Sequence, residues 1–216
     1  MTANLYPLFL NLRDRTCVVV GGSEMAEAKA RELLDAGARI RLIAPQVTKQ
    51  ISAWVRAGAM AWEPRAYAGG DLQGAFLVVS IADAETNARV FADAEEQGTF
   101  CNAVDDISHC SCYASAVVRR GPLQIAISTG GNSPALAQRL RKEFEGQFSE
   151  EYGPWVEYLG KTRTVLLRNM GITSDARREI LHQQASVAAF EAFRTSRHEE
   201  GNSPSVNIRG GSGKSS

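Results

Sequence analysis

The stretch that decides the fold is TCVVVGGSEMAEAKARELLDAGARIRLIAP, residues 16–45. Thr16 to Val20 is a short β-branched run between Arg13-Asp14-Arg15 and Gly21-Gly22, which by length and composition reads as a buried strand. From Met25 to Ala36 the spacing becomes helical, with Ala26, Ala30, Leu33 and Leu34 along one stripe. Gly37 stands where a left-handed residue ends a helix, and Arg39 to Ala44 alternates into a second strand that Pro45 closes.

The turn inside this unit is Gly21-Gly22-Ser23-Glu24-Met25-Ala26. A dinucleotide fingerprint asks for glycine at its first and third positions and Gly or Ala at its sixth. Gly21 supplies the tight turn, and Ala26 lets helix and strand pack closely. Ser23 is a departure, because it adds a side chain where the backbone approaches the pyrophosphate. The acidic residue usual after the second strand is also missing; that position falls in Leu42-Ile43-Ala44-Pro45. An ordinary βαβ unit with a glycine turn therefore stays open at this point.

Working outward, the alternation repeats. Ile51 to Ala57 reads as a helix, Ala61 to Pro64 as a strand, and Ala75 to Ile81 as a strongly apolar strand. Ala84 to Gln97 follows as a helix and Thr99 to Val104 as a strand. Such alternation specifies an α/β fold with a parallel, doubly wound sheet. Past Asp105 the rhythm changes. Ser115 to Arg119 and Leu123 to Ser128 suggest a hairpin or a crossing pair, and Ser133-Pro134 starts a helix through Phe144. Residues 150–197 carry helical periodicity broken near Gly171, and the polar, Gly/Ser-rich run from Glu199 to Ser216 is expected to be a disordered tail.

The chain's 216 residues are 44% hydrophobic and 22% charged, which suits a soluble globular protein able to bury a sizeable core. Its 24 basic and 24 acidic side chains cancel, so nothing in the total points to nucleic acid. Cys17, Cys101, Cys110 and Cys112 lack the spacing of a disulfide framework. No run approaches a membrane span, and the first ten residues lack a basic, signal-like start, so the expected location is cytoplasmic.

Three later features gather potential chemistry. Asn102-Ala103-Val104-Asp105-Asp106 lies at the carboxyl end of a parallel strand, where a carboxylate is placed to act as a base or merely to cap a turn. Ser128-Thr129-Gly130-Gly131-Asn132-Ser133-Pro134 offers backbone donors at a helix start, favouring an anion, or is simply a capped turn. Arg119, Arg120, Arg139, Arg141 and Lys142 suit carboxylate recognition or form a solvated face. His109-Cys110-Ser111-Cys112 matches no strong zinc spacing, so no metal ligand is assigned, and His182 reads as structural or exposed.

Taken together, these stretches resemble the precorrin-2 dehydrogenase and sirohydrochlorin ferrochelatase family, including the amino-terminal module of siroheme synthase. The matching pieces are Tyr6-Pro-Leu-Phe-Leu-Asn-Leu, the glycine turn, Ala28-Lys29-Ala30, Ala36-Gly37-Ala38, Ala44-Pro45, Asn87, Phe100 to Asp105, Val117 to Gly121 and Ser128 to Ala137. The resemblance implies a Rossmann-like NAD-binding domain over 1–112, a small α+β dimerisation region over 113–148 and a helical carboxy-terminal domain over 149–198. It implies a homodimer that oxidises precorrin-2, a tetrapyrrole, to sirohydrochlorin with NAD, in siroheme synthesis. Asp105 is then the catalytic residue. Gly21, Gly22, Ser23, Glu24, Met25, Ala44, Pro45, Ile81 and Ala82 face the cofactor. Asn102, Arg119, Arg120, Ser128, Thr129, Gly130 and Gly131 face the substrate. Added ferrochelatase activity, or a tetrapyrrole- or nucleotide-binding module without turnover, are the competing readings. Ile81-Ala82 and the stretch Cys110 to Ser115 depart from the family pattern.

Overall fold

The structure is a computed structural model that describes residues 5–169 and 171–201. Its first half is a five-stranded parallel sheet. The strands are β1 (Thr16–Val20), β2 (Arg39–Ile43), β3 (Ala61–Glu63), β4 (Leu77–Ser80) and β5 (Phe100–Ala103), in the order β3-β2-β1-β4-β5. Helices α1 (Glu24–Asp35), α2 (Lys49–Arg56) and α3 (Ala84–Gln97) join β1 to β2, β2 to β3 and β4 to β5. The order reverses between β2 and β4, on either side of β1, and that switch point opens a crevice beyond the strand ends.

Strands β1 and β4 are buried on both faces, which is why they read as apolar runs rather than alternations. Val19, Leu42 and Val79 pack with Ala26, Ala30 and Leu33 of α1. Val18, Ile43 and Val78 pack on the other face with Val90 and Ala94 of α3. The alanines at 26 and 30 allow the close approach expected of a helix laid on a sheet. Ser23, Thr48 and Asp83 cap α1, α2 and α3, each accepting a backbone N–H three residues on.

The connection from β3 to β4 departs from the alternating pattern, because it contains no helix. Residues 64–76 form a loop instead, tied by a fork. Both Arg65 terminal nitrogens donate to Asp71 at 2.7 Å, and Asp71 accepts the Ala68 N–H at 2.8 Å. Asp71 is only 7% exposed, and Arg65 holds its carboxyl below the usual carboxylate range.

The described residues fall into two compact units, divided at Ser115/Ala116, Ile127/Ser128 and Ala137/Gln138. The segment 128–137 thus folds with the parallel sheet, although its sequence suggests the middle region. In the second unit, β6 (Ala116–Arg120) and β7 (Leu123–Ile127) pair antiparallel, the hairpin of the two arrangements that the sequence left open. The helix that opens with Ser133 as N-cap is α4 (Pro134–Gln147), followed by α5 (Tyr152–Arg168), α6 (Ser174–Gln184) and α7 (Val187–Gly201). Phe148, Tyr152, Trp155 and Phe190 form an aromatic core among these helices. Because α7 continues to Gly201, the expected tail is helical over 199–201, and the rest of it lies outside the described residues. No helix among the described residues is long and apolar enough to cross a membrane.

Candidate functional site

A cleft of about 730 Å³ opens at the switch point, over the carboxyl ends of β1, β2 and β4. Its lining includes Gly21, Gly22, Ser23, Glu24, Ala44, Pro45, Ile81 and Ala82, eight of the nine residues expected to face a cofactor. Met25 is not among them; its side chain is exposed on α1.

The two glycines are required for different reasons. Gly21 adopts φ +122°, and a Cβ there would overlap the Ile81 carbonyl oxygen at the end of β4. Gly22 has an ordinary φ, but a Cβ would overlap the Gln46 carbonyl oxygen and come 3.1 Å from the Ala44 Cβ. The tight place in this turn is therefore Gly22, against the loop that follows β2. Ser23 is exposed and extended, and its Oγ accepts the Ala26 N–H at 3.4 Å. The residue in the third position is thus the N-cap of α1. The free N–H groups of the α1 start, the bare glycine floor and the loop wall fit a dinucleotide pyrophosphate.

The sequence missed several lining residues: Gln46, Thr48, Tyr67, Asp83 and Thr86. Thr48 and Asp83 were findable as polar caps directly after strand ends. Thr48 also donates to Glu27 at 2.7 Å, joining the cleft wall to α1. Tyr67 arrives on the 64–76 loop and had no signal. Its hydroxyl donates to Asp93 at 2.5 Å, and burial pushes its pKa upward. Among the described residues the lining contains no lysine or arginine.

Beyond β5 the two aspartates separate in role. Asp105 sits in the left-handed region at φ 61°, is exposed, and has no side-chain partner among the described residues. Asp106 is fully engaged, accepting from Ser108 Oγ at 2.7 Å and contacting His109 Nδ1 at 2.8 Å. Asp105 follows directly on the β4–β5 pair, where Val104 N donates to the Ser80 carbonyl at 2.9 Å. Its backbone therefore follows the strand next to β4, whose end carries Ile81 of the cleft.

The Ser128–Pro134 loop packs on the same corner. Gly130 and Gly131 have φ of 60° and 81°, and a Cβ at Gly131 would come 2.6 Å from Ile107 Cδ1. Thr129 Oγ1 accepts the Ser133 N–H at 3.0 Å, and Ser128 Oγ accepts the Gly130 N–H at 3.1 Å. Both hydroxyls thus shape the loop. Asn102 is structural as well: its amide donates to the Cys112 carbonyl at 3.1 Å, holding the folded-back stretch 107–112 along β5.

Among the described residues, no group of three or more His, Cys, Asp or Glu side chains is placed to hold a metal ion. Burial pushes Cys112 up to about 11 and Cys101 to about 12, and the Cys110 thiol donates to the carbonyls of Ala103 and Asp106. The arginines divide too. Arg120 is spent in the second unit, donating to the carbonyls of Phe148 at 2.7 Å and Glu145 at 3.0 Å at the end of α4. Arg119 is exposed, with no side-chain partner among the described residues. Arg139 pairs with Glu143 and Arg141 with Glu145 along α4, as on a solvated face.

Comparison with known proteins agrees with this geometry. Residues 8–116 match the family model described as putative NAD(P)-binding, and residues 120–147 match that of the sirohaem biosynthesis protein central segment. Siroheme synthase of Azotobacter vinelandii (strain DJ) is 44% identical over 148 residues, which is 68% of this chain and 32% of that protein. Siroheme synthase of Xylella fastidiosa (strain M12) is 37% identical over 204 residues, 93% of this chain and 42% of that protein. The chain thus spans about a third to two fifths of the length of these relatives. A solved structure, "SirC, precorrin-2 dehydrogenase", shares the fold with a TM-score of 0.69 at 23% identity, over 90% of this chain and 100% of that one. With the glycine cleft at the sheet's switch point and these matches along its length, the chain belongs to the NAD(P)-binding family, followed by the central segment of the sirohaem biosynthesis proteins.

Proposed function

We propose that the protein is an NAD-dependent precorrin-2 dehydrogenase that forms sirohydrochlorin and works in the cytoplasm as a homodimer. The observation that carries this reading is Asp105, an unpartnered carboxylate on a left-handed residue, one strand from the cofactor cleft and beside the Ser128–Pro134 loop. When bound, the nicotinamide ring supplies the hydride acceptor. The protein's part is to seat the macrocycle against the cleft and to manage charge and proton.

Loss of a hydride leaves the macrocycle cationic. The Asp105 anion stabilises that charge and draws off a proton. Ile81 and Ala82 present an apolar wall beyond the end of β4. Precorrin-2 carries eight carboxylates, for which the free guanidinium of Arg119 is suited. NAD is favoured over its 2′-phosphorylated form because the lining carries Glu24 and Asp83 and no cation. The three-part organisation, with dimerisation through residues 113–148, belongs to this same reading.

The test is anaerobic incubation with precorrin-2 and NAD+, following sirohydrochlorin absorbance and NADH together. Stoichiometric formation of both is expected, with NADP+ at least tenfold poorer. Folded protein that binds NAD+ yet forms no NADH would refute the proposal.

A further inference from the structure

The wall of the cleft that closes on the glycine turn runs from Ala44 to Thr48, and hydrogen bonds hold it only at its two ends. At the β2 end Gly21 N donates to the Ile43 carbonyl at 2.9 Å and Ala44 N to the Glu63 carbonyl at 3.2 Å, while the Ala44 carbonyl accepts from Trp62 Nε1 at 2.9 Å. At the other end stands Thr48. Its Oγ1 accepts the Ile51 N–H at 3.1 Å, capping α2, and donates across to Glu27 Oε2 of α1 at 2.7 Å. A hydroxyl has one hydrogen, and this one is spent on Glu27, so Thr48 has no donor left for a ligand although it lines the cleft. Between the anchors, Pro45, Gln46 and Val47 make no hydrogen bond among the described residues.

The Thr48–Glu27 bond is braced from behind. Arg31, one turn further along α1, donates to Glu27 Oε1 at 3.4 Å and lies over the Trp54 ring of α2 at 5.1 Å. Both Glu27 oxygens are therefore engaged. The Gln46 carbonyl oxygen lies so near Gly22 that a Cβ there would overlap it. The closest approach of loop to turn is thus two residues from the bond that ends the loop.

We propose that Thr48 is a positioning residue for the cofactor: its bond to Glu27 holds the loop wall at the distance from the glycine turn that a dinucleotide pyrophosphate requires. This assignment deepens the NAD-binding part of the function proposed above and rests on it. Without the bond the Pro45–Val47 span is free to shift away from the turn, and binding must then order it. The loss falls on cofactor affinity and leaves the reacting atoms alone.

Glu27→Ala is the deciding variant, because Glu27 lies outside the cleft lining and its removal leaves the α2 cap in place. On charge alone, deleting a carboxylate near the cleft would tighten binding of an anionic cofactor; loss of the clasp weakens it. Calorimetric titration with NAD+ should show Kd raised about five- to tenfold, while Tm without cofactor falls by less than about 4 °C. In turnover, KM for NAD+ should rise by the same factor with kcat changed less than about twofold. Glu27→Gln, whose amide oxygen still accepts, and Thr48→Ser, which keeps the hydroxyl, should bind within about twofold of wild type. Thr48→Val breaks the same bond from the other side, so combined with Glu27→Ala it should weaken binding no further than the worse single change. Any one of three results would overturn the inference: Glu27→Ala binding NAD+ as tightly as wild type or more so, Glu27→Gln losing as much affinity as Glu27→Ala, or additive losses in the double variant. Wild-type protein that binds NAD+ but forms no NADH would overturn the dehydrogenase reading and leave these affinities standing; wild type that binds neither NAD+ nor NADP+ would overturn both.

Discussion

Replacing Gly22 with alanine adds one methyl group at the tightest point of the cleft. The backbone of Gly22 lies outside the left-handed region, so the effect is steric alone. The added Cβ would sit 2.9 Å from the Gln46 carbonyl carbon and 3.1 Å from the Ala44 Cβ, where 3.4 Å marks ordinary contact. The carbonyl oxygen lies deeper still inside the methyl volume, so the Ala44–Thr48 loop must retreat by on the order of 1 Å. Overpacking of this kind costs about 1–3 kcal/mol. For a chain of this size that lowers Tm by about 2–10 °C. The retreating loop is also a wall of the cleft, and each 1.4 kcal/mol expressed in binding is tenfold, so Kd for NAD+ should rise about tenfold or more. Calorimetric titration with NAD+ and thermal melting measure the two effects. Gly69→Ala is the control, since a Cβ there meets nothing within 4 Å. If Gly22→Ala binds within about twofold of wild type and melts within about 1 °C of it, the assignment of Gly22 as the point of closest approach is wrong.

Ser23→Gly restores the glycine of the dinucleotide pattern, yet it should change NAD+ affinity by less than about threefold and cost only a few tenths of a kcal/mol, because Ser23 is an exposed cap; a tenfold tighter complex would mean that the serine does obstruct the cofactor. Asp71→Asn removes the acceptor of the Arg65 fork and should destabilise by about 2 kcal/mol at pH 7. Asp71 titrates below its ordinary value when folded, so its contribution is present above about pH 4 and lost as pH falls; in urea denaturation the gap between wild type and variant should narrow as pH falls below about 4, and a gap independent of pH would refute the assignment. Asp105→Gly relieves a left-handed non-glycine residue, so Tm should hold or rise while sirohydrochlorin formation is lost; a lowered Tm with turnover intact would reverse both inferences.

The sheet was legible because each of its signals is local. The apolar runs at Thr16–Val20 and Leu77–Ser80 have one length and composition that suit a strand buried on both faces, and Gly37 marks the end of α1 without reference to anything distant. The cleft followed from the fold, since loops after parallel strands must meet at the switch point. What stayed hidden depends on partners far along the chain. The 64–76 loop reads as polar punctuation, and only the meeting of Arg65 with Asp71 turns it into a rigid piece that carries Tyr67 to the cleft. A spacing pattern places Ser23 in the third position but does not show that it caps α1. The close approach of Gly22 to Gln46 spans 24 positions of sequence and has no local signal.

The same limit explains the two pairs of like neighbours. Asp105 and Asp106 are indistinguishable by type and position, as are Arg119 and Arg120. In each pair one member is consumed by the fold. Asp106 takes its donors from α3 and the turn at 107–109, and Arg120 caps α4. The other member is left with no side-chain partner among the described residues. For Asp105 this freedom comes together with a left-handed backbone, a conformation that costs an ordinary residue about 1 kcal/mol or more. A carboxylate that contributes nothing to stability, on a backbone that detracts from it, beside a carboxylate that is fully engaged, is hard to account for by folding alone. The engaged neighbour keeps the turn in shape and orients His109. The strained one is then free to meet a substrate, and that division of labour, more than the presence of two acids, is the reason to assign the chemistry to Asp105.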